Sequence, residues 1–388
     1  MKKTISILGS TGSIGSSSLS IIDKEKNFFE IYLLSANKNF NLIMQQIKKY
    51  KPKYFVISDE KIFYKVIKKI KTKKTKILNN FNLTRLKKND ILILAIPGIA
   101  GLKPTISIMS KSKKILIANK ESIICGWDLI KKKALKNEIK IIPVDSEHYS
   151  IFKLISNYRI NEIEKIYITA SGGPFLNYKK SLFKKIKPSD ALKHPEWKMG
   201  KKISIDSATL MNKVFEIVEA QKLFNLPKKK IDILVHPESL VHAIVKFKNG
   251  LTNFIYHDTS MIIPLANAIF ENNLLIDHFI KKNIKKTNLQ PIKNLTFKKI
   301  NYDKFPIKKI LEHINKYSSS PIIINAANEI LVDYFLAKKI SFLAIYKTIL
   351  AVMNDSNFKK YAIRKPKNIT QIEKIDTWAR KTTIKKIY

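Results

Sequence analysis

The first strand of this chain runs directly into a glycine-rich turn, and this junction restricts the fold more than any other feature. Residues Lys3–Leu8 read KTISIL, a short apolar strand, and residues 9–15 read GSTGSIG before a helix that continues through Ile22. A strand, a glycine turn and a helix in this order form a dinucleotide-binding unit, with the pyrophosphate at the helix N-terminus. The spacing is GxxGxxG rather than GxGxxG, so an ordinary tight strand-to-helix turn is the alternative interpretation.

The residues after the second predicted strand indicate which dinucleotide would bind. This strand spans Glu30–Leu34 and is followed by SANKN at 35–39. An NAD site usually carries Asp or Glu here, because the acid accepts a hydrogen bond from the ribose 2′-hydroxyl. This segment has no acid, and Lys38 suits a 2′-phosphate, so the sequence favours NADP(H).

Further apolar strands alternate with helical stretches over the next hundred residues. They are predicted at Lys53–Ser58, Asp90–Ile96, Lys114–Ala118 and Lys140–Val144. This alternation predicts an α/β fold with an N-terminal Rossmann-like, doubly wound parallel sheet. Ligands of such sheets lie beyond the carboxyl ends of the strands. The polar segments NKES (119–122) and DSEH (145–148) each follow a strand, so we expect them to face a ligand.

Two carboxylates in the second of these segments suggest a metal site. Asp145 and Glu147 are two residues apart, so on an extended backbone they point to the same side. With Glu216 they would supply three oxygen ligands for Mg²⁺ or Mn²⁺. His148 is a poorer candidate ligand. The alternative interpretation of Asp145 and Glu147 is a pair that caps the next helix.

A second region, of mixed strand and helix pattern, begins at about residue 150. A strand at Ile166–Ala170 leads into Ser171-Gly-Gly, where backbone N–H groups and the hydroxyl of Ser171 can hold an anion. Strands are also predicted at Ile231–Val235, Val241–Phe247 and Leu251–Tyr256, the last two joined by a hairpin. This pattern predicts a central α+β domain.

The stretch from 194 to 220 carries the densest set of candidate side chains. It is predicted to form a loop at His194–Lys202, a short alternating run at Ile203–Ile205, and a helix with Asp206 and Ser207 as capping residues. One face of that helix carries three polar side chains: Asn212, Lys213 and Glu216. An amide, an ammonium and a carboxylate on one face suit a phosphorylated, metal-bound polyol. A solvated face of an amphipathic helix is the alternative.

Composition bears on partners and compartment. The net charge of +43 raises the hypothesis of nucleic-acid binding. Only four of the 73 basic residues are arginine, however, and the lysines are spread along the chain, as an AT-rich genome would produce. With one cysteine, no apolar run near the ~20 residues of a membrane span, and a strand almost at Met1, we expect a cytoplasmic protein without nucleic-acid or membrane partners.

Seven motifs together resemble the 1-deoxy-D-xylulose 5-phosphate reductoisomerase family over nearly the whole chain. They are GSTGSIG (9–15), ANKES (118–122), PVDSEH (143–148), SGGPF (171–175), HPEWKMGKKISIDSATLMNK (194–213), HPESLVHAIV (236–245) and INAANE (324–329). The resemblance implies a homodimer with three domains: an NADPH-binding domain at 1–149, a catalytic and dimerisation domain at 150–275, and a C-terminal helical domain at 301–388. It also implies a mobile lid at about 186–203, and residues 276–300 are predicted to be a linker.

The family's reaction is the rearrangement and reduction of 1-deoxy-D-xylulose 5-phosphate to 2-C-methyl-D-erythritol 4-phosphate in isoprenoid precursor synthesis. The resemblance implies a retroaldol and aldol rearrangement assisted by a divalent cation, followed by hydride transfer from NADPH. Two alternatives stay open. One is a plain NADP-dependent dehydrogenase of a phosphorylated substrate, which would not need three metal-binding carboxylates. The other is a basic nucleic-acid-binding protein with a non-catalytic Rossmann domain.

The resemblance also implies roles for individual residues. It assigns NADPH binding to Thr11, Gly12, Ser13, Ile14, Asn37, Lys38, Asn39, Asn119, Glu121 and Gly200. It assigns Mg²⁺ or Mn²⁺ binding to Asp145, Glu147 and Glu216, and a lid to Trp197 and Met199. It assigns substrate binding to Lys120, Ser146, Glu147, Ser171, His194, Ser207, Asn212, Lys213 and Glu216. Five of these are expected to be catalytic: Lys120, Glu147, His194, Lys213 and Glu216.

The chain departs from the family pattern at three places. Asn37 stands where glycine is common, which raises the question of a positive φ at this turn. Tyr149 stands where asparagine is common. The run Ser260-Met-Ile262 replaces Asp-Met-Arg, which removes an acid and a base outside the expected metal shell.

Overall fold

The computed structural model describes residues 2–71, 74–83, 86–197, 199–271 and 294–388. These residues pack into two compact units. The first contains 2–122, 127–149 and 260–271, and the second contains 123–126, 150–259 and 294–388. The three-domain division stays a prediction, and most of the predicted linker at 276–300 lies outside the described residues.

A parallel sheet of seven strands forms the centre of the first unit. Its strands are β1 (Lys3–Leu8), β2 (Phe29–Ala36), β3 (Tyr54–Ile57), β4 (Lys76–Leu78), β5 (Asn89–Leu94), β6 (Ser112–Ile117) and β7 (Lys140–Pro143). Their order is β4-β3-β2-β1-β5-β6-β7, and every pairing is parallel. The predicted doubly wound sheet is therefore confirmed. The edge strand β4 is three residues long, and the sequence pattern did not predict it.

Helices follow most strands of this sheet, and all of them except the last connect one strand to the next. They are α1 (Ser13–Lys24), α2 (Phe40–Tyr50), α3 (Glu60–Lys69), α4 (Leu102–Ile108), α5 (Lys120–Lys136) and α6 (Ser146–Ile155). The central strands are buried on both faces, since the consecutive residues Ile5, Ser6 and Ile7 of β1 are all inaccessible to solvent, as expected for parallel strands between helices. A later helix, α10 (Ile262–Phe270), returns to this unit, and its Phe270 ring lies 5.6 Å from that of Phe29.

The second unit is built on a mixed sheet of four strands. They are β8 (Ile163–Ala170), β9 (Ile231–Val235), β10 (Val241–Phe247) and β11 (Thr252–Tyr256), in the order β11-β10-β8-β9. Strand β10 is antiparallel to β8 and β11, whereas β8 and β9 are parallel. The predicted hairpin is present, with Gly250 at a φ of +90° in its turn. Between β8 and β9 the chain forms α7 (Pro188–Ala191), α8 (Lys201–Ala208) and α9 (Met211–Phe224).

The C-terminal helices belong to the same compact unit as this sheet. They are α11 (Lys308–His313), α12 (Ser320–Leu336), α13 (Phe342–Met353), α14 (Phe358–Ala362) and α15 (Ile369–Ile387). A cluster of aromatic rings joins them to the segment after β8: the Phe342 ring lies 5.3 Å from that of Phe175 and 5.8 Å from that of Phe183. Among the described residues, no helix combines the length and the apolar run that crossing a bilayer requires.

Two local predictions were wrong. Residues Ile203–Ile205 are not an extended run, because they lie inside α8, which also contains Asp206 and Ser207. The following helix begins at Met211 after a break at Leu210, whose φ is +57°. The INAANE motif lies in the interior of α12, where Asn325 and Asn328 are fully buried.

Candidate active site

Close backbone approach explains two glycines of the turn after β1. Gly9 has a φ of +85°, and a Cβ there would lie 2.5 Å from the carbonyl oxygen of Ala95. A Cβ on Gly15 would lie 2.2 Å from the carbonyl oxygen of Gly9 and 2.6 Å from Cα of Ser10. No side chain other than hydrogen fits at either position without a backbone shift, so the turn can bring α1 directly against the end of β1.

The N-terminus of α1 is suited to bind a phosphate. Gly12 is its N-cap residue, no side chain caps its first N–H groups, and its first turn carries no acid. The predicted NADPH-binding residues Thr11, Gly12, Ser13 and Ile14 occupy this turn, and all are at least partly exposed. Uncapped N–H groups and the positive end of the helix dipole favour an anion here.

The other predicted cofactor residues of this unit follow strands β2 and β6. Lys38 is exposed just after β2, and the side chain of Asn39 caps α2 by accepting from the N–H of Leu42 at 3.1 Å. Asn119 caps α5, and its amide also donates to the carbonyl oxygens of Ile96 and Gly98. Asn119 therefore holds the loop after β5. Glu121, in the first turn of α5, is buried.

Four of the predicted side chains form a polar cluster at the end of β7. Lys120 Nζ lies 3.4 Å from Asp145 Oδ2, and His148 Nδ1 lies 3.1 Å from Asp145 Oδ1. Ser146 donates a hydrogen bond to Glu147 Oε2 at 2.6 Å. Both carboxylates are only partly exposed. Glu147 and Ser146 lie in the first turn of α6, as the helix-cap alternative also implied, so local structure alone does not separate the two interpretations.

In the second unit, the turn after β8 brings Ser171 together with His194. Ser171 Oγ lies 2.9 Å from His194 Nε2 and accepts from the backbone N–H of Gly173 at 3.1 Å. His194 Nδ1 accepts from the backbone N–H groups of Glu196 and Trp197 at 3.1 and 2.9 Å. The neutral ring therefore carries its proton on Nε2 and donates it to Ser171. Both lone pairs of Ser171 Oγ are then occupied, and its O–H group can donate to a ligand.

Electrostatics keep this histidine neutral. Burial, followed by the nearby positive charge of Lys213, lowers the pKa of His194 from 6.5 to about 4. A cavity of about 490 Å³ opens beside Ser171 and is also lined by Gly173, Lys193 and Glu196. The site thus offers neutral hydrogen-bond donors next to lysines, which is a suitable environment for a phosphate group.

Ser207 belongs to the same group of residues. A Cβ on Gly173 would lie 3.0 Å from the carbonyl oxygen of Ser207 and 3.2 Å from Cα of Ala208, and Gly173 has a φ of +65°. The turn that holds Ser171 therefore packs directly on the C-terminal end of α8. Within the buried run 204–210, Ser207 alone is partly exposed.

Helix α9 carries the predicted polar face, but this face is not exposed to solvent. Lys213 exposes 6% of its surface and Glu216 none. Lys213 Nζ donates to Glu216 Oε2 at 2.6 Å, and Asn212 donates to Glu216 Oε1. Because these side chains are buried, the alternative of a solvated helix face is wrong. A buried ammonium and carboxylate persist only when they are paired, as they are here. Such a pair is a candidate functional group.

The predicted lid residues lie between α7 and α8. Trp197 is half-buried, and its ring meets that of His242 edge-on at 5.9 Å. The His242 ring in turn stacks on His257 at 4.0 Å. Met199 is half-buried, and Gly200 is exposed at the N-cap of α8. The sequence analysis did not select His242 or His257, although the motif HPESLVHAIV contains the first of them.

The departures from the family pattern have local explanations. Asn37 does not adopt a positive φ, so this turn does not require glycine. Tyr149 is buried in α6, where burial and then Glu271 raise the pKa of its phenol. Ser260 Oγ accepts from the N–H of Ile262 at 3.3 Å, so it supports the start of α10 without an acid.

Sequence comparisons give one family throughout. Residues 5–126 match 1-deoxy-D-xylulose 5-phosphate reductoisomerase, and residues 141–224 and 258–382 match two C-terminal domains of the same enzyme. The 1-deoxy-D-xylulose 5-phosphate reductoisomerase of Pelagibacter ubique is 47% identical over 382 residues, which cover 97% of both chains. The enzyme of the same name from a Wolbachia of Drosophila simulans is 41% identical and covers 90% of both.

Solved structures agree with this result. A crystal structure of DOX-P reductoisomerase in complex with NADPH, fosmidomycin and magnesium matches with a TM-score of 0.90 and 30% identity, over 99% of this chain and 98% of that one. The Zymomonas mobilis 1-deoxy-D-xylulose 5-phosphate reductoisomerase in complex with NADPH matches with a TM-score of 0.86 and 30% identity, over 100% and 99%. The nearly complete coverage and the identity show that the chain belongs to the 1-deoxy-D-xylulose 5-phosphate reductoisomerase family.

Proposed function

We propose that this protein uses NADPH and a divalent cation to convert 1-deoxy-D-xylulose 5-phosphate into 2-C-methyl-D-erythritol 4-phosphate. The observation that carries the proposal is the phosphate-suited group of Ser171, His194 and Ser207, in a chain that a reductoisomerase matches over 97% of its length. The family matches do not favour a plain dehydrogenase or a nucleic-acid-binding protein.

The first unit fits NADPH. The uncapped N-terminus of α1 suits the pyrophosphate, and exposed Lys38 suits the 2′-phosphate. Two related structures are described as complexes with NADPH. We assign cofactor binding to the residues that the family resemblance named: Thr11, Gly12, Ser13, Ile14, Asn37, Lys38, Asn39, Asn119, Glu121 and Gly200.

The donor set Asp145, Glu147 and Glu216 fits a hard divalent cation. Carboxylate oxygens are the ligands that Mg²⁺ and Mn²⁺ prefer, and Glu216 is a fully buried carboxylate. A related structure is described as a complex with magnesium. When bound, the cation supplies Lewis acidity towards the substrate oxygens, and NADPH supplies a hydride.

The remaining side chains would bind and orient the substrate. The neutral His194 holds the hydroxyl of Ser171 in place, and Ser171 donates its O–H to the phosphate. Ser207 and Asn212 supply further hydrogen bonds. Lys213 provides an ammonium for a substrate hydroxyl at a fixed distance from Glu216. Lys120 and Ser146 orient the sugar end beside Asp145 and Glu147. Trp197 and Met199 act as a lid that excludes water.

We further propose that the protein acts as a homodimer in the cytoplasm. Strand β11 lies at the edge of its sheet and exposes Phe254 (46%) and Tyr256 (40%), next to Leu251 (56%). An apolar sheet edge without charged side chains favours association with another chain. The sequence has a single cysteine, the buried Cys125, so it contains no pair of cysteines for an internal disulfide, as suits a reducing compartment.

The oligomeric state is tested by sedimentation. Phe254→Glu places a charge in the proposed interface, so the variant should sediment as a monomer at concentrations where the unmodified protein is a dimer. Tyr64→Glu is the matched control, because Tyr64 is similarly exposed (54%) but belongs to helix α3 of the first unit. A monomeric unmodified protein would refute the dimer.

The activity is tested by NADPH oxidation with 1-deoxy-D-xylulose 5-phosphate, with Mg²⁺, with Mn²⁺ and with chelator. The product is identified by NMR, because the proposed reaction yields a branched carbon skeleton. An unbranched polyol phosphate would replace the proposal with a plain NADP-dependent dehydrogenase.

The metal shell is tested with Glu216→Gln, which keeps the shape of the side chain and removes its charge. Turnover should fall by several orders of magnitude, while NADPH binding stays nearly intact, because Thr11–Ile14 are unchanged. Glu219→Gln is the matched control, since Glu219 is similarly buried one turn along α9. Normal metal-free turnover by Glu216→Gln would show that Glu216 has only a structural role.

A further inference from the structure

A buried carboxylate joins α8, which carries Ser207, to the C-terminal helix α12. Asp206 Oδ1 accepts a hydrogen bond from Asn328 Nδ2 at 2.7 Å, and Asp206 Oδ2 lies 2.8 Å from Lys202 Nζ. Neither Asp206 nor Asn328 exposes any surface. A buried carboxylate that loses a hydrogen-bond donor bears the full desolvation penalty of the freed oxygen. The pair therefore holds α8 against α12 in one arrangement.

This contact determines where Ser207 points. Asp206 and Ser207 are consecutive residues of one helix, so their side chains differ by about 100° in direction around its axis. When Asp206 is held against α12, the rotation of α8 about its axis is set. Ser207 then lies on a different side of α8 from Asp206, and it is the partly exposed residue of its run.

Other residues of the C-terminal helices hold the surroundings of the same site. The hydroxyl of Tyr346 donates to the carbonyl oxygen of Thr209 at 3.0 Å, just before Leu210 adopts its left-handed conformation. The Phe342 ring packs at 5.3 Å on Phe175, which ends the SGGPF segment that begins with Ser171. The C-terminal helices thus support both segments that carry the serines of the proposed phosphate site.

We propose that Asn328 is a positioning residue for substrate phosphate, and that it acts through Asp206 on the orientation of Ser207. This inference rests on the proposed function, in which Ser171 and Ser207 bind the phosphate of the substrate. It gives a role to the INAANE motif, which contacts no ligand in the proposed mechanism. Asn328 itself is fully buried and acts at one remove.

The test compares Asn328→Asp with the exchanged pair Asp206→Asn/Asn328→Asp. The single variant replaces the hydrogen bond of 2.7 Å between Asn328 and Asp206 with two carboxylates that face each other. We expect the Kd of inorganic phosphate, measured by calorimetry, and the KM for the phosphorylated substrate to rise about tenfold or more, with a smaller change in kcat. In the exchanged pair, the new amide at 206 donates to the new carboxylate at 328 and still accepts from Lys202, so most of the phosphate affinity should return.

Asn325→Asp is the matched control. Asn325 is equally buried one turn earlier on α12, but its amide donates to Glu329 within the same helix at 3.2 Å. This control should lower the thermal midpoint and leave the Kd of phosphate unchanged. If Asn328→Asp does not fold, Asn328→Ala and Asn325→Ala form the corresponding pair, and again the first alone should weaken phosphate binding.

Three results would overturn the inference. They are an unchanged phosphate Kd in the Asn328 variants, an equal loss in the Asn325 variants, and an exchanged pair that folds but does not regain affinity. The proposed function fails separately: the unmodified protein would then leave 1-deoxy-D-xylulose 5-phosphate unconverted. Because phosphate binding is measured by heat and not by turnover, the dependence on Asn328 supports or contradicts the positioning role in either case.

Discussion

The protonation state of His194 gives a direct test of the phosphate-side geometry. Burial, and then the charge of Lys213, lower its pKa from 6.5 to about 4. Its Nδ1 accepts two backbone hydrogen bonds, which is possible only while the ring is neutral, and the single ring proton is then on Nε2, where it is donated to Ser171. We predict that His194 stays neutral at pH 5 in the folded protein, and that the free energy of unfolding therefore falls more steeply with acid than it would without this histidine.

The sign and size follow from linkage. The unfolded chain binds a proton at His194 as the pH falls through 6.5, whereas the folded chain does not until about pH 4. The stability associated with the neutral ring is therefore present above pH 6.5 and is lost as the pH falls towards 4. The full difference corresponds to about 3 kcal/mol. Because the side chain is partly exposed, solvent screening reduces this to about 1–2 kcal/mol, of which about 1 kcal/mol is lost by pH 5.

The assay is urea unfolding near neutral pH and at about pH 5, with the free energy of unfolding compared between variants. His194→Gln keeps an amide that can donate to Ser171 but does not titrate. Its free energy of unfolding should fall by about 1 kcal/mol less over this interval than that of the unmodified protein. His313→Gln removes an exposed histidine of α11 and should behave like the unmodified protein. Equal pH dependence of His194→Gln and the unmodified protein would refute the reasoning.

Three further predictions follow from other parts of the site. Lys38→Glu should shift the cofactor preference from NADPH towards NADH, measured as the ratio of the two kcat/KM values; equal use of both by the unmodified protein would contradict the assignment. Gly15→Ala places a methyl group 2.2 Å from the carbonyl oxygen of Gly9, so NADPH binding measured by fluorescence should be lost, and normal affinity would show that the turn adapts. Trp197→Ala removes a half-buried ring that meets His242 edge-on, so kcat/KM should fall far more than the thermal midpoint. A large drop in the midpoint would instead assign Trp197 to the core.

Local sequence pattern was sufficient for most strands of the two sheets, and the three-residue edge strand β4 is the exception. Strands β1, β9 and β10 have the predicted bounds, because each is a short apolar run bounded by polar or glycine-containing segments. The tight turn after β1 was also predictable from its glycines, because only glycine permits the close backbone contacts at Gly9 and Gly15. Family membership was also evident from the sequence, because long motifs can be compared residue by residue without knowledge of the fold.

Tertiary packing decided the rest. The alternation of Ile203–Ile205 predicts an extended run, but the run lies inside α8, which contacts α12 through the hydrogen bond from Asn328 to Asp206, 122 residues apart in sequence. In the same way, α10 joins the first unit although it follows the second in sequence. A sequence pattern that covers about ten residues cannot predict either of these long-range contacts.

The burial of the catalytic candidates shows the same division. Sequence alone determined that Asn212, Lys213 and Glu216 share one helix face, because helical periodicity depends only on spacing. Whether that face meets water depends on what packs around α9, and periodicity cannot encode this. The structure shows that Glu216 is fully buried and paired with Lys213. A charge can be buried only where a distant part of the chain excludes water and a partner neutralises it, so this property exists only in the folded molecule.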